Sequence, residues 1–275
     1  MKKFEHVLIV SDMDGTFLGK DGCLVERNLK ALEYFRSEGG LFTFSSGRSH
    51  DYIKLSVPHP EQIVNLPAVT VNGVCLYDFE KECYVEAQRI EPSVIQSLVR
   101  RVLKEFPTVG IRAVTGDEVL MGGCRNSYME WEWKRVETLR RRRLSEDGEW
   151  GEIAPFKLVL RDKSECLNEV WKTLEGEFSD RLVFTKSELT LLELMPIGTN
   201  KGVMVEHLHK LYAPQTTLLC VVGDYLNDLE MLAVADLPVC PANACDEAKA
   251  LCKLCLCDHK EGVIADLVEY LDQRF

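Results

Sequence analysis

The apolar positions of this chain change period several times. Residues 6–10 form a short, nearly unbroken apolar run, the pattern of a strand buried on both faces of a parallel sheet. Over residues 28–36, Leu29, Leu32, Tyr34 and Phe35 fall near helical spacing, and Gly39-Gly40 ends that helix. Residues 41–44 predict a second strand, 49–55 a short helix and 68–71 a third strand. Asn72-Gly73 separates that strand from the apolar run at 74–77, a strong hairpin signal.

The C-terminal stretch repeats the style. A helix is predicted over 201–211, with Val203, Val205 and Leu208 on its apolar side, and a wholly apolar strand over 218–222. A helix at 226–235, a strand at 237–240, a helix at 244–253, a strand at 254–257 and a helix at 263–271 follow. Strands alternating with helices make an α/β fold with a mostly parallel sheet covered on both faces. Between these regions, residues 81–194 are richer in charge, Trp and long helical patterns, with short strands at 156–160, 182–185 and 190–194. Three segments result: 1–80 and 195–275 as two pieces of one core, and 81–194 as an inserted domain.

The 275 residues exceed one typical domain, and 46% hydrophobic content supplies a substantial core. The 33 basic and 44 acidic side chains leave a net charge of −11, which argues against a nucleic-acid binder or a protein of anionic membrane surfaces. Residues 81–194 carry 19 basic and 21 acidic side chains against 14 and 23 in the remainder, so the imbalance belongs to the core. The first apolar run is too short for a signal peptide, and no run approaches the ~18 residues of a membrane span. A cytoplasmic protein with reduced thiols is the expectation for its 11 cysteines.

Asp12-Met13-Asp14-Gly15-Thr16 follows the first strand directly, where ligands sit in a parallel α/β sheet. Two carboxylates at i and i+2 can reach one centre, one attacking and the other trading protons. Asp and Gly are also common turn residues, so the same run reads as an ordinary turn. Gly223-Asp224-Tyr225-Leu226-Asn227-Asp228 follows another apolar strand. Acidic groups at two strand ends suit a hard cation with oxygen ligands, Mg²⁺ above all, although Asp and Asn there also cap helices. Ser45-Ser46-Gly47-Arg48 offers a hydroxyl and backbone N–H groups as an anion cradle. Thr199-Asn200-Lys201-Gly202 opens a helix with a lysine that can meet phosphate oxygens.

Together these runs resemble the four motifs of haloacid dehalogenase (HAD)-superfamily phosphatases. Asn72-Gly73, the run from Glu193 through Pro196 and Gly198 to Lys201-Gly202, and Asn243-Ala244 resemble its Cof-type branch, subclass IIB. The resemblance covers nearly all of residues 5–80 and 193–272. It departs at Ser46, where Thr is common, at the bulkier Phe44-Ser45, and at Pro241, where many relatives carry Gly. It implies a Rossmann-like, mostly parallel core sheet and an α/β cap of the C2B type at 81–194 that selects the leaving group. It also implies that Asp12 is the nucleophile, Asp14 the general acid and base, and Lys201 a charge-stabilising group. Ser46, Gly47 and Asn227 would contact the phosphate, with Arg48 and Asn72 near it or supporting its loop. Mg²⁺ would be held by Asp12, the Asp14 carbonyl and Asp224, with Asp228 holding metal-bound water or orienting the lysine. The implied activity is hydrolysis of small phosphorylated metabolites, sugar phosphates foremost, through an aspartyl-phosphate. A phosphomutase or phosphotransferase shares that chemistry; a phospho-acceptor regulator and a cysteine-rich metal-binding protein are the competing classes.

Two features lie outside the motifs. Trp131-Glu132-Trp133-Lys134-Arg135 and Arg140-Arg141-Arg142-Arg143 interleave bases and aromatics. An amphipathic helix with Tyr128, Trp131, Val136 and Leu139 turned inward is the expected form, an anionic-substrate patch or a nucleic-acid site the alternatives. Cys252, Cys255, Cys257 and His259, with Cys240 and Cys245 upstream, have poor spacing for zinc, and packing residues are the expectation.

Overall fold

The first apolar run forms β1 (Val7–Ser11), buried at every position. In the computed structural model, which describes residues 2–116, 118–144 and 147–275, it opens a segment of alternating strands and helices. These are α1 (Glu26–Ser37), β2 (Leu41–Phe44), α2 (His50–Ser56), β3 (Ala68–Thr70), β4 (Cys75–Asp78) and β5 (Cys83–Ala87). The insertion holds α3 (Pro92–Glu105), β6 (Gly110–Val114), β7 (Val119–Gly123), α4 (Ser127–Arg135), β8 (Arg141–Arg143) and α5 (Asp147–Trp150). It continues with β9 (Lys157–Arg161), α6 (Ser164–Phe178), β10 (Leu182–Glu188) and β11 (Leu191–Pro196). The chain then adds α7 (Lys201–Tyr212), β12 (Leu218–Val222), α8 (Leu229–Ala233), β13 (Leu237–Pro241), α9 (Asp246–Leu251), β14 (Leu254–Leu256) and α10 (Val263–Asp272).

Two compact units result. One joins the residues up to Glu86 with Asn200–Phe275; the other is Ala87–Thr199. The core segment runs past residue 80 because β5 joins the β3-β4-β5 sheet, and the insertion runs past 194 because β11 pairs with β9 and β10.

The core sheet is parallel throughout, in the order β14-β13-β12-β1-β2. Its central strands are apolar on both faces because both faces are covered. Val7 and Ile9 join Phe35, Phe42, Ile264 and Leu267 in one cluster, on the side of α1 and α10. Leu8 and Val10 join Met204, Val205, Leu208 and Met231 in another, on the side of α7 and α8. This Rossmann-like order places the loops after β1, β2, β12 and β13 together at the carboxyl edge of the sheet.

The inserted unit is a six-stranded sheet, β10-β11-β9-β6-β7-β8, antiparallel except between β7 and β8. Ile111, Ala113, Leu158, Leu160, Leu192 and Leu194 pack one face against apolar residues of α3 and α6, including Leu98, Val99, Leu167 and Val170. It is an α/β cap. No helix among the described residues is long and apolar enough to cross a membrane.

The predicted Trp-Arg helix differs from expectation. α4 ends at Arg135, and Arg141–Arg143 is a strand instead. Trp131 turns outward at 55% exposure, Tyr128 is half-buried, and Glu132 turns inward at 2%. The inversion follows from charge pairing: Arg112 and Arg161 reach the Glu132 carboxylate at 2.9 and 2.8 Å. Arg141 and Arg143 lie over the Trp133 ring at 4.3 and 4.2 Å from its centroid.

The cysteines also differ from plain packing residues. All are free, but Cys75, Cys220 and Cys240 alone are buried, while Cys23, Cys83 and Cys255 are exposed. The helix predicted over 244–253 shrinks to α9, because the Cys245 N–H donates to Asp224 O (2.9 Å) and Ala244 N–H to Pro241 O (3.0 Å).

Candidate active site

Asp12 leaves the end of β1 with its N–H donating to Val222 O of β12 at 2.8 Å. That bond fixes the first loop against the strand that carries Asp224. The chain then turns at Gly15, whose φ of +79° favours glycine, and where a Cβ would lie 2.5 Å from Asp224 Oδ2. Thr16 Oγ1 donates to Asp224 Oδ1 at 2.7 Å, and Asn243 Nδ2 donates to Gly15 O at 2.8 Å. The loop after β13 therefore buttresses the loop after β1.

Lys201 opens α7, whose first turn is capped by Asn200 Oδ1 accepting from the Val203 N–H at 2.8 Å. The Lys201 side chain is wholly buried and donates to Asp12 Oδ1 and Asp228 Oδ1, each at 2.6 Å. Asp228 Oδ2 accepts from the Asp224 and Tyr225 N–H groups at 2.9 and 3.0 Å. One ligand oxygen from each of Asp12, Asp224 and Asp228 lies within 4.8 Å of the others.

Three carboxylates thus cluster around one ammonium, which bonds two of them, Asp12 and Asp228. Burial pushes the Asp12 carboxyl well above the usual range; Asp228, Asp224 and Asp14 add to this, and Lys201 offsets only part. Burial, then Asp228, pushes Asp224 up to about 6 despite the Thr16 hydrogen bond. For Lys201, burial alone would lower the value, but Asp12 and Asp228 outweigh it and hold the ammonium charged. An all-oxygen cluster with surplus negative charge fits a hard divalent cation.

Beside this cluster, the loop after β2 folds onto the β3–β4 turn. Asn72 N–H donates to Ser46 O and Val71 N–H to Arg48 O, both at 2.9 Å. Ser46 is buried, and its Oγ accepts from the Arg48 N–H at 3.2 Å. A Cβ on Gly47 would lie 2.8 Å from Asn72 Oδ1, so this close approach requires glycine. Asn72 sits at φ 57° with 3% exposure, and its Oδ1 accepts from Asn227 Nδ2 at 3.2 Å. Ser46, Gly47, Asn72 and Asn227 therefore meet in one place.

Asp14 stands apart from the triad. Its carboxylate is 59% exposed and takes a two-pronged contact from Arg48, Nε to Oδ2 at 2.8 Å and Nη2 to Oδ1 at 2.6 Å. Arg48 Nη1 in turn donates to Ser56 Oγ (2.7 Å) and Tyr52 O (3.3 Å). Sequence reasoning gave no role to Thr16, Ser56 or Asn243. Thr16 and Asn243 stood inside motifs already singled out; Ser56 carried no signal.

The model of the haloacid dehalogenase-like hydrolase family matches residues 9–268. A Schizosaccharomyces pombe hydrolase is 25% identical over 95% of this chain and 89% of its own length. The HMP-PP phosphatase of Yersinia enterocolitica is 24% identical over 88% of this chain and 86% of its own. Among solved structures, a haloacid dehalogenase-like hydrolase from Bacteroides thetaiotaomicron has a TM-score of 0.84 at 20% identity, covering 97% of this chain and 99% of that one. A subclass IIB sugar phosphatase has a TM-score of 0.78 at 15% identity, with coverage of 96% and 98%; both structural likenesses concern the fold. With its motifs gathered at the carboxyl edge of a parallel sheet and the family model spanning nearly its whole length, the chain belongs to the haloacid dehalogenase-like hydrolases.

Proposed function

We propose that this chain is a Mg²⁺-dependent phosphatase of small phosphorylated metabolites, sugar phosphates foremost, working through an aspartyl-phosphate on Asp12. The observation that carries the reading is the Asp12 carboxylate at a strand end, 2.6 Å from a buried lysine and clustered with Asp224 and Asp228. The names of the Yersinia phosphatase and of the sugar phosphatase support the substrate class. Eleven cysteines outside any disulfide suit a cytoplasmic setting, and the net charge of −11 suits neither nucleic acid nor an anionic membrane as partner.

Asp12 would attack phosphorus in line; the new Asp–O–P bond forms as the bond to the leaving oxygen breaks. Asp14 gives a proton to that oxygen, then takes one from the water that attacks phosphorus. That second attack releases inorganic phosphate and restores Asp12. Lys201, the Ser46 hydroxyl, the Gly47 N–H and Asn227 meet the charge that spreads over the transferring oxygens. Asp12, Asp224 and the Asp14 carbonyl would hold the cation, with Asp228 holding metal-bound water or orienting Lys201, and the cation when bound offsets the repulsion between carboxylate and phosphate.

The test is phosphate release from a panel of sugar, polyol and nucleotide phosphates, with Mg²⁺ or with EDTA, for the wild type and Asp12→Asn. Release that needs both Mg²⁺ and Asp12 is expected. Activity that survives both changes sinks the mechanism, and phosphoryl transfer between sugars without release makes the protein a mutase.

A further inference from the structure

His259 ends the cysteine and histidine run that is poorly spaced for zinc. Among the described residues it joins no group of three possible metal ligands, and its ring has a partner elsewhere in the chain. Nδ1 lies 2.6 Å from Leu18 O, 241 residues away. A carbonyl only accepts, so Nδ1 carries a proton and donates it. The His259 main-chain N–H donates to Asn243 Oδ1 at 3.1 Å, and Asn243 Nδ2 donates to Gly15 O at 2.8 Å. One residue therefore reaches the loop after β1 twice, directly at Leu18 and through Asn243 at Gly15.

That loop takes its shape from such outside bonds. Met13–Phe17 is a single irregular turn, with Asp14 at φ −82° and ψ 117° and Gly15 at φ +79°. The Leu18 N–H closes it on Met13 O at 2.9 Å. The same turn carries the Asp14 carbonyl, and Thr16, whose Oγ1 donates to Asp224 Oδ1. His259 is itself held in place. The Lys260 and Glu261 N–H groups donate to Asp258 Oδ1 at 3.1 Å and Asp258 O at 2.8 Å, and the Ala242 N–H donates to Cys257 O at 3.3 Å. Its side chain is 15% exposed, with Nε2 3.7 Å from Asp258 Oδ1. A donor fixed on one loop and an acceptor on another set the spacing between them, as the outer partners of metal ligands do.

We propose that His259 is a positioning residue for the divalent cation. By holding Leu18 O it sets the turn that presents the Asp14 carbonyl and fastens Asp224 through Thr16. This deepens the Mg²⁺ reading above and rests on it.

The test compares the wild type with His259→Asn and His259→Gln. Asn carries Nδ2 where histidine carries Nδ1 and keeps the donor to Leu18 O; Gln carries its amide farther out and loses it. The first readout is hydrogen–deuterium exchange of the metal-free chain, by mass spectrometry of the peptide spanning residues 13–18. Exchange is expected to quicken about two- to tenfold in His259→Gln, the range of one lost hydrogen bond, and to keep the wild-type rate in His259→Asn. The second is phosphate release across a Mg²⁺ titration. The Mg²⁺ concentration for half-maximal release is expected to rise about tenfold in His259→Gln, with kcat at saturating Mg²⁺ nearly unchanged, and to return in His259→Asn. A residue that served folding alone would lower the melting temperature without this split. Wild-type exchange in His259→Gln, an unchanged Mg²⁺ requirement, or no rescue by His259→Asn would overturn the proposal. A wild type that releases phosphate in EDTA would overturn the Mg²⁺ reading instead, while the exchange rates still decide whether His259 holds the loop.

Discussion

Arg48 grips both carboxylate oxygens of Asp14, at 2.8 and 2.6 Å, and is itself anchored on Ser56 and Tyr52. The residue proposed to trade protons is thus positioned by a guanidinium fork held from the loop after β2. Arg48→Lys keeps the charge and loses the fork. It is expected to lower kcat/KM about tenfold for sugar phosphates, whose leaving group needs a proton. p-Nitrophenyl phosphate, whose leaving group needs none, should be affected far less. Steady-state kinetics on the two substrates read the split; equal losses would show that Arg48 does not act through Asp14.

Lys201 is the single ammonium shared by Asp12 and Asp228. Lys201→Met removes it and leaves buried carboxylates uncompensated. Activity is expected to fall about 100-fold or more, the scale of removing one charge-stabilising donor. Melting curves without Mg²⁺ should show a loss of about 3–5 kcal/mol, the cost of breaking a buried ion pair from one side.

The metal reading has a test independent of turnover. A cation that binds the folded chain raises its stability, by about 2.7 kcal/mol at one hundred times Kd. Mg²⁺ should therefore raise the melting temperature and EDTA should reverse the rise. Asp224→Asn should abolish this response, because Asp224 is one of the three clustered carboxylates.

The cap carries its own pH dependence. Burial alone would raise the Glu132 pKa, but Arg112 and Arg161 outweigh it and hold the group below its ordinary 4.5. A carboxylate lowered on folding adds stability above its unfolded value and loses it as pH falls through the folded one. Acid unfolding of the wild type should thus include loss of this contribution below pH 4.5. Glu132→Gln should be less stable by about 3–5 kcal/mol at pH 7, since Arg112 and Arg161 lose a buried carboxylate between them, Arg161 keeping Glu188 at 2.8 Å. The gap should narrow in acid, as denaturant titrations at several pH values would show.

The core was legible in the sequence because its signals are local. Unbroken apolar runs made β1 and β12, and the residues singled out after each strand fall where a parallel sheet gathers its loops. What escaped depends on contacts between distant residues. Nothing near Glu132 tells that Arg112 and Arg161 come to meet it, so its local pattern predicts Trp131 inward instead. Arg48 is expected near the phosphate or supporting its loop, and no local signal points to its partner Asp14, 34 residues away. Packing explains Cys75, Cys220 and Cys240 but not the exposed Cys23, Cys83 and Cys255.

The central claim is that Asp12 carries the phosphoryl group. The direct measurement is acid quench of Asp14→Asn after mixing with p-nitrophenyl phosphate and Mg²⁺, followed by peptide mass spectrometry. This variant can expel the aryl oxide without an acid but lacks the base that activates water, so the covalent species should accumulate. The account predicts one hydroxylamine-labile phosphoryl group on the peptide containing Asp12. A phosphoryl group on any other residue, or none alongside full p-nitrophenol release, would contradict it.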